Sequence, residues 1–270
     1  MSSSTILMCQ PDFFDVNYEI NPWMKGNINQ AINKRAKQQW EDLVATIKKC
    51  AKVTLIEPQQ GLPDMVFTAN GALVHKNKAV VAKFNPIERQ GEEVFFKNWF
   101  KDQGFDVCVA SEEPFEGAGD ALFDRGNDRL WAAYGFRSSI KTHENIAKII
   151  DMEVLSLELV DPRFYHLDTC FCPLEGGFLI YYPKAFSKKS QELIQEKVAA
   201  DKLIEVSETD ATNFALNAIN VQNNIILHKA SIKLRNKLES EGFSVLETPV
   251  DEFMKAGGST KCLTLRLDEH

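Results

Sequence analysis

Five stretches of the chain carry apolar residues at helical spacing, with polar residues between them. They lie near residues 30–49, 87–102, 139–150, 187–199 and 231–241. In the first, Trp40, Leu43, Val44 and Ile47 occupy i, i+3, i+4 and i+7, one face of a helix. A short apolar or β-branched run follows each helix, at 53–57, 106–110, 153–157, 203–206 and 244–247. A polar turn region comes next, then further apolar strands such as 72–75, 130–133, 177–182 and 224–228. The order helix, strand, loop, strand thus recurs five times, at about 50 residues per unit. A period of that size marks a solenoid or a closed radial array. No unit has the character of a terminal cap, so the pattern predicts closure into a five-bladed α/β ring. The competing reading is one α/β sheet with mixed connections. No Pro/Gly/Ser-rich linker interrupts the pattern, and residues 1–270 are expected to form one domain.

Composition narrows the class. Of 270 residues, 44% are hydrophobic and 26% charged, the balance of a soluble globular protein. The net charge of −7 makes nucleic acid and anionic membrane poor partners. No apolar run approaches the roughly 20 residues that span a bilayer. The start, MSSSTILMCQ, lacks the basic and long apolar regions of a secretory signal. Six cysteines are too sparse for a disulfide scaffold, so reduced thiols and a cytoplasmic setting are expected. The partner expected is a small molecule; a homo-oligomer stays open.

The loops between the strands of each unit hold the informative residues. They read LPDMVFTAN with Asp64 and Asn70, FEGAGDALF with Glu116 and Asp120, and YHLDTCFC with His166 and Asp168. The last two are FALNAIN with Asn217 and Asn220, and AGGSTKCLTL with Cys262. Successive steps from Asp64 through Glu116, His166 and Asn217 to Cys262 are 52, 50, 51 and 45 residues. In a closed ring, equivalent loops converge on the axis. One pocket would then hold a nucleophile, a proton carrier and several carboxylates.

Each residue has a plainer reading. His166 alone could be a buried structural histidine. Cys170 and Cys172, at i and i+2 near His166, could suggest zinc, but no fourth ligand follows at the usual spacing, and core thiols fit them better. Cys9, Cys50 and Cys108 lie in apolar contexts. Cys262 differs because it follows Gly257-Gly258-Ser259-Thr260-Lys261, a loop whose backbone can approach a ligand closely. The segment from Glu116 to Asp120 lacks the full GxGxxG of a dinucleotide loop. No metal and no cofactor is expected.

Taken together, Asp64 and Asn70, the Glu116-Gly-x-Gly-Asp120 motif, His166-x-Asp168 and Cys262 resemble the guanidino-modifying enzymes of the pentein superfamily. That superfamily includes arginine deiminases, dimethylarginine dimethylaminohydrolases and amidinotransferases. The resemblance covers essentially the whole chain and implies a five-bladed α/β propeller around the active site. The N-terminal segment from Asp15 to Met24 and the FTAN loop resemble the arginine dihydrolase domain of cyanobacterial ornithine-producing enzymes. Deiminases tend to show Asn then Asp in the first loop, and dimethylarginine hydrolases Asp at both; this chain has Asp64 and Asn70.

The resemblance implies Cys262 as nucleophile and His166 as proton carrier, with Glu116 and Asn70 beside them. It implies Asn21 as a polar site residue, Arg89 and Arg137 on a substrate α-carboxylate, and Asp124 on its α-amino group. A solvated helix start is the plainer reading of both arginines. Asp64, Glu116 and Asp168 suit a planar guanidinium, which takes charge-assisted, bidentate hydrogen bonds. The implied reaction turns arginine into ornithine, carbon dioxide and two ammonia, with dimethylarginine hydrolysis or deimination to citrulline as alternatives. A non-catalytic ring module of the same fold is the alternative of a different class. The second, proline-forming domain of the cyanobacterial enzymes, and its activity, are expected to be absent.

Overall fold

The computed structural model describes residues 4–269. Its strands form five separate three-stranded sheets. In blade I, Ala72–His75 turns back antiparallel on Lys78–Val81, and Asp106–Val109 then joins parallel to the latter after a helix. Blade II repeats this with Ala121–Phe123, Arg129–Tyr134 and Glu153–Glu158. Blade III uses Phe171–Leu174, Phe178–Tyr181 and Leu203–Glu205. Blade IV uses Ile219–Val221, Asn224–Leu227 and Ser244–Glu247.

Blade V is assembled from both ends of the chain. Leu265–Arg266 pairs antiparallel with Thr5–Cys9, which pairs parallel with Lys52–Ile56. The expected five-bladed propeller is therefore present, and its ring is closed by backbone hydrogen bonds between the two termini. The natural unit runs strand, hairpin, strand, helix, strand, so each sheet takes its third strand from beyond its helix.

The apolar cores lie between neighbouring blades. Leu73 and Val80 of blade I pack with Ala121, Phe123 and Leu130 of blade II. Leu7 and Ile56 of blade V pack with Ala72, Val74 and Phe96 of blade I. Blades II, III and IV share one cluster, and blade IV meets blade V through Ile219, Val221 and Ile226.

The helices follow their apolar spacing. Asn33–Ile47 buries Ala36, Trp40, Leu43 and Ile47. Ser187 and Ser231 cap Lys188–Lys197 and Ile232–Ser240 by accepting from the backbone N–H groups of Ser190 and Leu234. The expected continuous helix over 87–102 is instead broken into Ile87–Gln90 and Glu93–Asp102. Arg89 and Glu92, on either side of the break, face inward as a buried pair at i and i+3. Among the described residues no helix is long and apolar enough to cross a membrane.

Candidate active site

The first strand of each blade is preceded, within three residues, by a buried polar or nucleophilic side chain. These are Asn70, Asp120, Asp168, Asn217 and Cys262. Asp64, Glu116 and His166 stand further upstream in their loops. The 50-residue spacing marks the right loops, but the positions equivalent to Asn217 and Cys262 are Asn70, Asp120 and Asp168 rather than Asp64, Glu116 and His166.

Cys262 is buried, and its thiol donates to Asp168, with Sγ 3.4 Å from Oδ2. The Asn217 amide clasps the same residue at both ends. Its Nδ2 donates to Sγ at 3.1 Å, and its Oδ1 accepts from the Cys262 backbone N–H at 3.1 Å. Burial, then the nearby Asp168 charge, pushes the thiol well above its ordinary range. Burial likewise raises the Asp168 carboxyl to about 6, against the pull of Lys261. The resting nucleophile is thus a thiol; a cation bound between Asp168 and Cys262 would favour thiolate.

His166 donates or accepts through Nε2 at 2.6 Å from Glu116 Oε2, and its Nδ1 lies 3.5 Å from Asn70 Nδ2. Glu116 also accepts from Arg137 Nη1 at 3.0 Å. Burial alone would raise the Glu116 carboxyl, but the Arg137 charge and the His166 bond hold it far below the usual range. It is a fixed anion that can support a charged imidazole. Behind it, Asp120 accepts from Ser138 Oγ at 2.6 Å and from the Leu167 backbone N–H at 3.1 Å. Burial raises the Asp120 carboxyl to about 6.

Asn70 is held from the other side. Arg89 Nη1 donates to its Oδ1 at 2.7 Å, while Nε and Nη2 of Arg89 form a bidentate pair with Glu92, both at 2.8 Å. Because Arg89 can only donate, it fixes the amide carbonyl toward itself and turns the amide nitrogen to His166. Gly119 makes room for this contact, since a Cβ there would stand 2.2 Å from Asn70 Nδ2. The glycines of the Glu116–Asp120 motif therefore admit Asn70 as much as they extend Glu116. Arg89 also donates to the Asp64 carbonyl at 3.1 Å. Four of its five N–H groups are committed, so it is a poor clamp for a substrate carboxylate.

Asp64 is buried close to the Tyr18 hydroxyl, and its Oδ1 has no well-formed hydrogen bond among the described residues, an open acceptor for a cationic N–H. The mouth of the site is a cavity of about 440 Å³ whose walls include Asn21, Asn85, Arg137 and Tyr165. Arg137 lies over the Tyr165 ring at 4.7 Å and donates to the Ile20 carbonyl at 3.0 Å, keeping its remaining N–H groups uncommitted. Asn21 Nδ2 donates to the Ala256 carbonyl at 3.0 Å. Gly257, at φ +87°, lets the nucleophile loop pass Asn21 and Tyr165, where a Cβ would meet the Asn21 side chain at 2.7 Å.

One expected site residue is elsewhere. Asp124 lies beyond Ala121–Phe123, about 13 Å along the strand from Asp120 at the usual rise per residue. Its oxygens are spent on the hairpin, accepting from the N–H groups of Gly126 and Asn127 at 2.8 and 2.9 Å and from Arg129 and Trp131. It organises a turn at the far end of the ring and does not reach the site. Glu92, Tyr165 and Ser138 went unassigned in the sequence; only Glu92 had a signal, standing three residues after Arg89. Cys170 and Cys172 face backbone carbonyls of Leu167 and Ala218. Among the described residues no group of three or more His, Cys, Asp or Glu is placed to hold a metal ion.

Comparison with known proteins gives the same picture. The profile of the eukaryotic N,N dimethylarginine dimethylhydrolase family matches residues 10–268. The bifunctional arginine dihydrolase/ornithine cyclodeaminase ArgZ of Synechocystis sp. is 56% identical over 98% of this chain, which spans 38% of ArgZ. The N(G),N(G)-dimethylarginine dimethylaminohydrolase of Mycobacterium tuberculosis is 40% identical over 96% of this chain and 84% of its own. The crystal structure of the N-terminal domain of ArgZ, a mutant bound to substrate, superposes with a TM-score of 0.98 at 55% identity and covers 98% of both chains. The protein belongs to the N,N-dimethylarginine dimethylhydrolase family of guanidino-modifying pentein enzymes.

Proposed function

We propose that the protein is an arginine dihydrolase, converting L-arginine and two waters into L-ornithine, carbon dioxide and two ammonia, and that residues 1–270 act as one catalytic domain in the cytoplasm. The observation that carries this choice within the family is Asn70. A neutral amide, locked by Arg89, stands beside His166 where deiminases and dimethylarginine hydrolases place a carboxylate. The 56% identity with ArgZ supports it.

The substrate guanidinium binds between Asp64 and Asp168, and its charge favours the Cys262 thiolate by Coulomb attraction at low dielectric. Sulfur adds to the guanidinium carbon. His166, supported by the Glu116 anion, protonates one departing amine, and the first ammonia leaves an S-linked amidino intermediate. His166 then takes a proton from water, which adds to the same carbon. A deiminase expels sulfur at this point and releases citrulline. Here the second amine leaves as ammonia, giving a thiocarbamate. Another water then cleaves the C–S bond, and the resulting carbamate of ornithine loses carbon dioxide.

A carboxylate at position 70 would hold the amidino group as a cation, and the Asn70 amide lets it turn to present its second amine. Arg137, with Asn21 at the mouth, takes the substrate carboxylate in place of the committed Arg89. The family profile favours a second reading, release of dimethylamine from dimethylarginine. Incubation with each substrate decides between them. Ornithine with two ammonia per arginine is expected. Citrulline alone would establish a deiminase, and dimethylamine without arginine turnover the second reading.

A further inference from the structure

The ring axis has a second chamber, at the end away from the Cys262 thiol. It is a cavity of about 50 Å³, with apolar walls that include Leu73, Val74 and Phe123. Water needs about 10–15 Å³ in this measure, so the chamber holds a few waters or one small ion. Among the described residues, three cations line it, Arg125, Lys261 and Arg266, against one lining carboxylate, Glu269, with Asp268 beside Arg266.

The donors there are under-used. Arg125 forms a bidentate pair with Glu269 at 2.7 Å for both bonds. Lys261 reaches only the Thr264 carbonyl, at 3.4 Å. Arg266 approaches Asp268 at 3.4 Å through Nε and Nη2, and its buried Nη1 has no hydrogen-bond partner among the described residues. Buried cationic donors left without acceptors are costly. Asn220 is engaged elsewhere, its Oδ1 taking the Glu175 backbone N–H at 2.8 Å and its Nδ2 donating to the Gln222 and Asn224 carbonyls.

We propose that this chamber is a binding site for one small inorganic oxyanion, of the bicarbonate or phosphate class, held by Arg266 and Lys261 with Arg125 in reach. Glu269 is its internal competitor. The Glu269 carboxylate already occupies the Arg125 fork, and its charge repels a second anion. The apolar walls keep the local dielectric low and strengthen the attraction of the cations. This site does not depend on the reaction proposed above.

Thermal unfolding of the purified full chain, titrated with sodium bicarbonate and separately with sodium phosphate, tests it. Sodium chloride at matched ionic strength is the reference in both arms. A saturable rise in Tm beyond chloride is expected in at least one arm, and that arm identifies the anion. Arg266→Gln should weaken binding at least tenfold, whereas Glu269→Gln should tighten it severalfold by freeing Arg125. No effect beyond chloride in either arm overturns the site and leaves water as its occupant. So does saturable binding that Arg266→Gln leaves unchanged. If Arg266→Gln does not fold, Glu269→Gln decides alone, and unaltered affinity in that variant overturns the proposal.

Discussion

At the catalytic end of the axis, Asp64, Glu92, Glu116, Asp120 and Asp168 are buried around two arginines, Arg89 and Arg137. At the far end, Arg125, Lys261 and Arg266 surround Glu269. The same inner strands connect the two ends. The catalytic loops are short helical turns that turn polar side chains inward, while the far end is made of hairpins. Surplus buried acid suits a cation such as a guanidinium, and surplus base suits an anion. Charge near the axis is thus set residue by residue, since Lys261 comes from the nucleophile loop, Arg266 from the strand Leu265–Arg266 and Arg125 from a hairpin.

The sharpest way to break the catalytic end is Cys262→Ser. An alcohol is far less acidic than a thiol, and turnover should fall on the order of 10⁴-fold or more. The far end should be untouched, so circular dichroism and Tm should remain close to wild type. Activity above a few per cent in the folded variant would remove Cys262 as nucleophile.

Glu116→Gln removes the anion that supports His166 and leaves Arg137 without its charged partner. A loss in kcat of roughly 10²- to 10³-fold is expected from the weakened acid–base step. Steady-state kinetics on arginine, with folding verified in parallel, checks this. An unchanged kcat would show that the Glu116–His166 pair is structural only.

Smaller effects separate holding the site from doing the chemistry. Asn70→Asp should shift product from ornithine toward citrulline, read as their ratio by mass spectrometry. Glu92→Gln acts through Arg89 on the same amide, and about a tenfold loss in kcat is expected with little change in KM. A fall in folding stability with unaltered kcat would make Glu92 a packing residue.

The last effect is on stability rather than turnover. Burial raises the Asp120 carboxyl from 3.8 to about 6. Its contribution to stability is full below pH 3.8 and is lost as pH rises through about 6. Between pH 4 and 7, Asp120→Asn should therefore gain on wild type, by at most about 3 kcal/mol. Urea unfolding at the two pH values measures this, and a difference that does not change with pH would show that Asp120 is not held as a raised acid.

The ring was legible because its signals are local. Apolar runs, helical spacing and turns recur at a steady interval, and each blade repeats the same pattern. The site was legible in part, because Asn70, Glu116, His166, Asp168 and Cys262 lie in equivalent loops. Asp124 misled because a carboxylate in a loop looks alike in sequence at either end of a strand. The length of the strand Ala121–Phe123, and the hairpin that follows, carry it to the far end. The roles of Arg89 and Glu92 were hidden by the helical pattern of 87–102, in which Gly91 is the one sign of the break.

The sequence by itself determined the element order, the five-fold repeat and the inventory of reactive side chains. Those follow from local propensity and from which residues must leave water. The tertiary structure alone decided which carboxylate faces which cation. Pairing, burial and pKa depend on distances between loops some 50 residues apart, and these are set only when the first strand, Thr5–Cys9, closes against Leu265–Arg266. Closure turns loops scattered along the chain into one acidic chamber and one basic one.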